Sequence, residues 1–164
     1  MKSLDKNYWE NRYAQDDAIW DIGYISTPLK NYIDQLENKQ LKILIPGGGN
    51  GYEAAYLFQH GFRDVYLLDI ATSPLEKFSL RNPGFPKDHL LNQDFFAHQS
   101  AYDLILEQTF FCALDPSLRG DYVKKMYELL KENGQLAGLL FDDPMVPVEG
   151  PPFGGNKNEY TDLF

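Results

Sequence analysis

Cysteine is almost missing from this 164-residue chain. Cys112 stands alone, which excludes an internal disulfide framework. Histidine is scarce as well, and His60, His89 and His98 show no metal-ligand spacing, so no metal is expected. No apolar run reaches the roughly 18 residues of a membrane span. The start, Met1-Lys2-Ser3-Leu4-Asp5-Lys6-Asn7, lacks the apolar segment of a signal peptide. A cytoplasmic protein with no membrane partner is expected. Positive charge is in deficit: 15 Lys and Arg against 24 Asp and Glu leave a formal charge of −9, with no basic cluster to track a phosphate backbone. Nucleic-acid substrates are therefore disfavoured. The dinucleotide fingerprint G-x-G-x-x-G is absent too. A frame from Gly47 needs its third glycine where Tyr52 stands, and a frame ending at Gly51 starts on Pro46. This disfavours a nicotinamide-dependent oxidoreductase.

Apolar residues make up 43% of the chain and aromatics 15%, ample for the core of one domain. The chain centres on Leu41-Lys42-Ile43-Leu44-Ile45-Pro46-Gly47-Gly48-Gly49-Asn50-Gly51-Tyr52-Glu53. An unalternating apolar run suits a parallel strand covered on both faces, and glycines at the turn after it let a ligand approach the backbone. The glycines run G-x-G-x-G, over Gly47, Gly49 and Gly51. That spacing resembles the S-adenosylmethionine site of Rossmann-like methyltransferases.

Leu4, Tyr8, Trp9 and Tyr13 recur at helical intervals before this strand. The aromatic loop Ala18 to Tyr24 is expected to cover the core or a ligand. Thr27-Pro28 predicts an N-cap and first turn for a helix to about Glu37. Helix Tyr52 to Gln59 and strand Val65 to Asp69 follow the glycines. Ser73-Pro74 opens a further helix, to about Leu80. Strands at His89 to Leu91, Tyr102 to Glu107 and Leu136 to Phe141 are predicted, with a helix over Pro116 to Lys131. Repeated strand-helix units mean a mostly parallel α/β sheet with helices on both faces. From Pro144 to Asn158 the chain is rich in proline and glycine, Pro147 included, and reads as loop or lid. One domain over residues 1–164 is expected, with a helical cap at 1–40, a cofactor-binding core at 41–142 and a lid or tail at 143–164. It looks truncated before the last strands of a methyltransferase sheet.

Asp69 ends the second strand, where an acid in Rossmann-like folds accepts from both ribose hydroxyls; the alternative is a helix-capping acid. Asp94 could accept from an adenine amino group with Phe95 or Phe96 on the ring face, or merely cap a loop. Glu107 and Gln108 end the fourth strand beside the expected methionine portion. Cys112, among Phe110, Phe111, Ala113 and Leu114, reads as packing rather than as a nucleophile.

Several blocks together resemble the thiopurine methyltransferase superfamily, and most closely its thiol and halide (thiocyanate) branch. They are Trp9-x-x-x-Tyr13 with Trp20, Ile45-Pro46-Gly47-Gly48-Gly49, Leu68-Asp69-Ile70, Tyr102-Asp103-Leu104-Ile105, Phe110-Phe111-Cys112-Ala113-Leu114-x-Pro116, Met126-Tyr127-Glu128-Leu129-Leu130 and Gly150-Pro151-Pro152-Phe153. The resemblance implies a class I S-adenosylmethionine-dependent methyltransferase that releases S-adenosylhomocysteine. It implies that Trp9, Trp20, Gly47, Asp69 and Gln108 line the cofactor, and that the Gly150-Pro151-Pro152 lid closes near the acceptor. Gln108 departs from the arginine of thiopurine enzymes. Trp20, Phe110, Phe111 and Phe153 are the expected acceptor pocket, taking a small thiol, hydrosulfide, halide or thiocyanate. A monomer is favoured, and a non-catalytic cofactor-binding module is the alternative.

Overall fold

A computed structural model describes residues 4–15, 17–145 and 150–164. Met1 to Ser3 of the expected start and Pro147 of the expected lid lie outside them. Strand β1 (Ile43–Pro46) is buried at every position, as its unbroken apolar run requires. It pairs in parallel with β2 (Val65–Asp69) on one side and β4 (Tyr102–Gln108) on the other. Strand β3 (Leu90–Asn92) joins outside β2, and β5 (Leu130–Leu139) outside β4. The order is β3-β2-β1-β4-β5. Strand order reverses between β1 and β4, and such a switch point opens a crevice beyond the carboxyl ends of the strands.

Pleating sends alternate residues to opposite faces, so the sheet carries two cores. Ile43, Ile45, Leu67 and Leu104 pack with α3 (Tyr52–Gln59) and α4 (Thr72–Arg81). Leu44, Leu68 and Ile105 pack with Tyr122 and Met126 of α5 (Arg119–Leu129). Helices α1 (Lys6–Ala14) and α2 (Thr27–Asp34) precede the sheet.

Several boundaries differ from expectation. Ser26, not Thr27, is the N-cap of α2, which ends at Asp34 rather than near Glu37; the Ser26 hydroxyl donates to Gln108 Oε1 instead of capping the helix. Helix α4 begins at Thr72 behind Ala71, so Ser73 lies inside it. The predicted helix from Pro116 opens as a 3-10 turn, Pro116–Leu118, before α5. Strand β5 starts at Leu130, where α5 ends, and a register shift separates the Tyr102 and Leu104 pairings. Asn133, at φ +62°, lies in that interval. The tail is not all loop: α6 (Lys157–Leu163) forms behind Asn156, whose side chain accepts from the Glu159 N–H at 3.0 Å. Tyr160 and Leu163 add to the second core.

Candidate functional site

A cavity of about 930 Å³ occupies the crevice at the switch point. Its floor is the carboxyl ends of β1, β2 and β4, through Gly47, Asp69 and Gln108. The turn after β1 follows this path because Gly47 and Gly49 hold φ +57° and +52°, values that side-chain-bearing residues avoid. Space is short as well: a Cβ on Gly47 would lie 2.2 Å from Phe110 Cδ2, and one on Gly49 2.4 Å from the Tyr13 hydroxyl.

Asp69 is only 6% exposed. Its two oxygens accept from the Gly49 N–H at 2.9 Å and the Ala71 N–H at 2.8 Å, which ties the glycine turn to the start of α4. Burial pushes this carboxyl up to about 6, against those hydrogen bonds. A buried acid beside a large cavity is a candidate functional position.

The roof is aromatic. Trp20 meets Trp9 edge-on at 5.6 Å and Tyr13 at 5.7 Å, and the Arg12 guanidinium lies 5.0 Å from its ring. The Trp20 loop is pinned by Asp21, which accepts from the Gly23 N–H at 2.6 Å, the Tyr52 hydroxyl at 3.1 Å and the Asn50 amide. Asp94, Phe95 and Phe110 form a side wall, and Asp94 also caps its own turn by accepting from the Phe96 N–H at 2.9 Å.

Trp9, Trp20, Gly47, Asp69, Asp94, Phe95, Gln108 and Phe110 thus face one space. Gly49 borders a smaller adjoining hollow of about 50 Å³, with Trp20 and Gln108. Four predicted residues are placed elsewhere. A Cβ on Gly51 would meet Phe78 and Leu67, so this glycine serves helix-to-sheet packing. Phe111 is 1% exposed, in the second core. Phe153 is buried, its N–H donating to the Cys112 carbonyl at 2.7 Å. Glu107 faces away from Gln108, as strand alternation demands, and only 2% of it is exposed. Its Oε1 accepts from the Phe110 and Phe111 N–H groups at 2.9 and 2.8 Å, while Oε2 has no partner among the described residues. Burial pushes this acid up to about 7. It builds the turn that aims Phe110 rather than bordering the cavity.

Phe96 borders the cavity beside Phe95, and so do Tyr13 and Thr109, which sequence reasoning does not place at the site. Tyr13 follows Trp9 by one helical turn, and that spacing could have flagged it. Thr109 holds φ +61°, which its residue type does not announce. Cys112 also reaches the wall, but burial and the Glu107 charge push its thiol up to about 12, so it is no thiolate at neutral pH. Cys112→Ala is expected to keep ligand binding and any turnover while losing about 1 kcal/mol of stability from lost apolar contact. Thermal melts and rates of the folded variant check this; abolished turnover overturns it.

A glycine turn at a parallel switch point, a buried acid closing the second strand and an aromatic roof define a Rossmann-like fold of the methyltransferase type. The same fold occurs in magnesium protoporphyrin IX methyltransferase from Synechocystis PCC 6803 (TM-score 0.76, 12% identity, 99% of this chain and 85% of that one). It occurs also in Burkholderia thailandensis 1,6-didemethyltoxoflavin-N1-methyltransferase (TM-score 0.75, 16% identity, 96% and 73%). The chain belongs to the thiopurine S-methyltransferase family, whose model matches residues 4–164. Thiocyanate methyltransferase 1 of Arabidopsis thaliana is 30% identical over 169 residues, covering 99% of this chain and 73% of the relative. Probable thiol methyltransferase 2 of the same plant is 29% identical over 173 residues (100% and 74%). Thiopurine S-methyltransferase of Vibrio cholerae serotype O1 is 24% identical over 176 residues (98% and 81%).

Proposed function

We propose that this protein transfers the methyl group of S-adenosylmethionine to a small soft nucleophile: a thiol, hydrosulfide, halide or thiocyanate, ahead of a thiopurine. The observation that carries the reading is the buried Asp69 carboxylate at the floor of an aromatic-roofed cavity. The cavity suits the cofactor. Each Asp69 oxygen accepts one backbone N–H, which leaves each a lone pair for a ribose hydroxyl. A volume of about 930 Å³, toward the top of the roughly 300–1,000 Å³ range for small-molecule pockets, leaves room for an acceptor beside it. Trp9 and Trp20 border the cavity, and an aromatic ring face against a cation is worth about 0.5 to 2 kcal/mol.

Bound S-adenosylmethionine supplies a methyl group already activated on a sulfonium. The protein's own work is to hold donor and acceptor in line and keep water out. Trp20 and Phe110 wall the space, and Pro151 and Pro152 reach it from the tail, in keeping with a lid. Among the described residues bordering the cavity there is no histidine or lysine. A thiolate or halide needs no general base. The family relationship supports the same reaction, since the relatives are named for thiol, thiocyanate and thiopurine methylation. The reading extends to a single domain, 1–164, with cap 1–40, core 41–142 and lid 143–164. It also takes the protein to be cytoplasmic, with a monomer favoured and no nucleic-acid or membrane partner; the −9 charge supports the absence of a phosphate-backbone or anionic-membrane partner. Among the described residues no helix is long and apolar enough to cross a membrane.

The test is a panel of hydrosulfide, small thiols, thiocyanate, iodide and thiopurines with labelled cofactor. Methylation of the small anions, ahead of oxygen acceptors and nucleic acid, is expected. With subsaturating thiol the rate should climb with pH toward the thiol's own pKa, about 8.5 for a cysteine-like thiol, and then level off. Methylation of an oxygen or nitrogen acceptor alone overturns the reading. Cofactor binding without turnover on any acceptor would leave a binding module.

A further inference from the structure

The start of α4 presents N–H groups on Ala71, Thr72 and Ser73, because Pro74 has none. Its own N-cap, Ala71, offers no side-chain acceptor. The Ala71 N–H goes to Asp69. The other two go to a carboxylate from a different element, Glu10 of α1: Thr72 donates to Oε1, and Ser73 approaches Oε1 and Oε2 at 3.4 and 3.3 Å. Two acids, from β2 and α1, therefore share one helix terminus, where negative charge is favoured. Burial alone would raise the Glu10 carboxyl, but its bonds to Ser73 and Thr72 outweigh that and hold it below the usual carboxylate range.

Besides Glu10, α1 is held by the Trp20 ring against Trp9, Tyr13 and Arg12 and by the Arg12–Asp17 ion pair, all on the Trp20 loop that follows it. Tyr13 is its only fully buried residue, and a nine-residue helix is too short to persist alone. Its other tie to this edge is Lys6 Nζ, donating to Asn92 Oδ1 at 3.1 Å. Yet α1 carries Trp9 and Tyr13 of the cavity roof. Building on the methyltransferase reading, we propose that Glu10 is a positioning residue of the cofactor site, capping α4 from across and so fastening α1 and its two aromatic rings over the cavity beside Asp69. Glu10 touches neither cofactor nor acceptor in this role. It acts through the placement of Trp9 and Tyr13.

The experiment compares the parent with Glu10→Ala and Glu10→Gln, each shown to be folded by circular dichroism. Without ligand, trypsin cleavage after Arg12 reads the docking of α1. Glu10→Ala should be cut about fivefold faster or more, as loss of a helix cap implies, while Glu10→Gln, whose amide oxygen still accepts, should stay near the parent rate. Calorimetry with S-adenosylhomocysteine should show the same order, about fivefold weaker binding in the alanine variant and recovery in the glutamine one. In turnover the loss should fall on KM for the cofactor rather than on kcat, a split that lowered stability alone does not produce. Parent-like cleavage and affinity in Glu10→Ala, or a glutamine variant as impaired as the alanine one, overturns the proposal. If the parent binds no S-adenosylhomocysteine while Glu10→Ala still frees α1, the fastening stands and the methyltransferase reading falls instead.

Discussion

Asp69→Ala is expected to weaken binding of S-adenosylmethionine and S-adenosylhomocysteine by about 10- to 150-fold, the equivalent of the roughly 1.5 to 3 kcal/mol carried by hydrogen bonds to a charged group. The carboxylate is the buried acid on the cavity floor, and it also holds the Gly49 and Ala71 N–H groups. Its removal loosens the glycine turn and the start of α4 together. Because burial raises this carboxyl to about 6, hydroxyl donors are best received above that pH, and affinity should fall as pH drops through it. Stability of the ligand-free fold moves the other way. The folded-state value lies above the ordinary 3.8, so this group's contribution is fully present below about pH 4 and is lost as pH rises through about 6. Glu107, raised from 4.5 to about 7, adds a loss of the same sign up to that pH. Cofactor affinity therefore increases over the window in which the empty protein weakens. Calorimetry at pH 5.5 and 7.5 checks both parts; unchanged affinity in a folded Asp69→Ala protein sinks the assignment.

Gly47→Ala should be nearly as damaging, for a steric reason. The new Cβ would lie 2.2 Å from Phe110 Cδ2, 2.6 Å from Cγ and 3.0 Å from Cβ, with the backbone at φ +57°. These are atoms at the root of the ring, so no small swing of its far end relieves the overlap. The Phe110 turn cannot easily retreat either, since Glu107 Oε1 grips the N–H groups of Phe110 and Phe111. Backbone strain of about 1 to 3 kcal/mol then adds to a displaced cavity wall. An affinity loss of about tenfold or more and a lower melting temperature are expected. Adding Phe110→Ala should restore part of the stability, and a double-mutant cycle measures that coupling. Parent-like binding in Gly47→Ala would show that the wall does not depend on this contact.

Local pattern carried most of the fold. The apolar runs of β1, β2 and β4, the last interrupted only by Asp103 before Leu104 to Leu106, were legible because parallel strands bury both faces and need no partner in sequence to announce them. Gly47 and Asp69 were readable for a related reason: they sit at strand ends, where chain order alone puts them at the crevice. The helix caps were harder. Thr27 and Ser73 are good capping residues by type, but Ser26 is drawn to Gln108 and the start of α4 is served by Glu10, and neither partner is near in sequence. The helix at Lys157–Leu163 was hidden behind prolines and glycines, although Asn156 and Glu159 carry its capping signal.

The sequence by itself determined the strand-turn-helix order, the acid at the end of β2 and the family to which the chain belongs, because each is written in consecutive residues or in an ordered set of blocks. Only the tertiary structure decided which side chains share the cavity. Glu107 and Gln108 are neighbours in sequence, yet strand alternation sends one beneath a turn and the other to the cavity. Phe110 and Phe111, at the 3-10 turn after β4, divide between cavity wall and core. Glu10 and Thr72 at the start of α4 meet across 62 positions of sequence. Contacts of that kind depend on the packing of distant elements, which local periodicity does not encode.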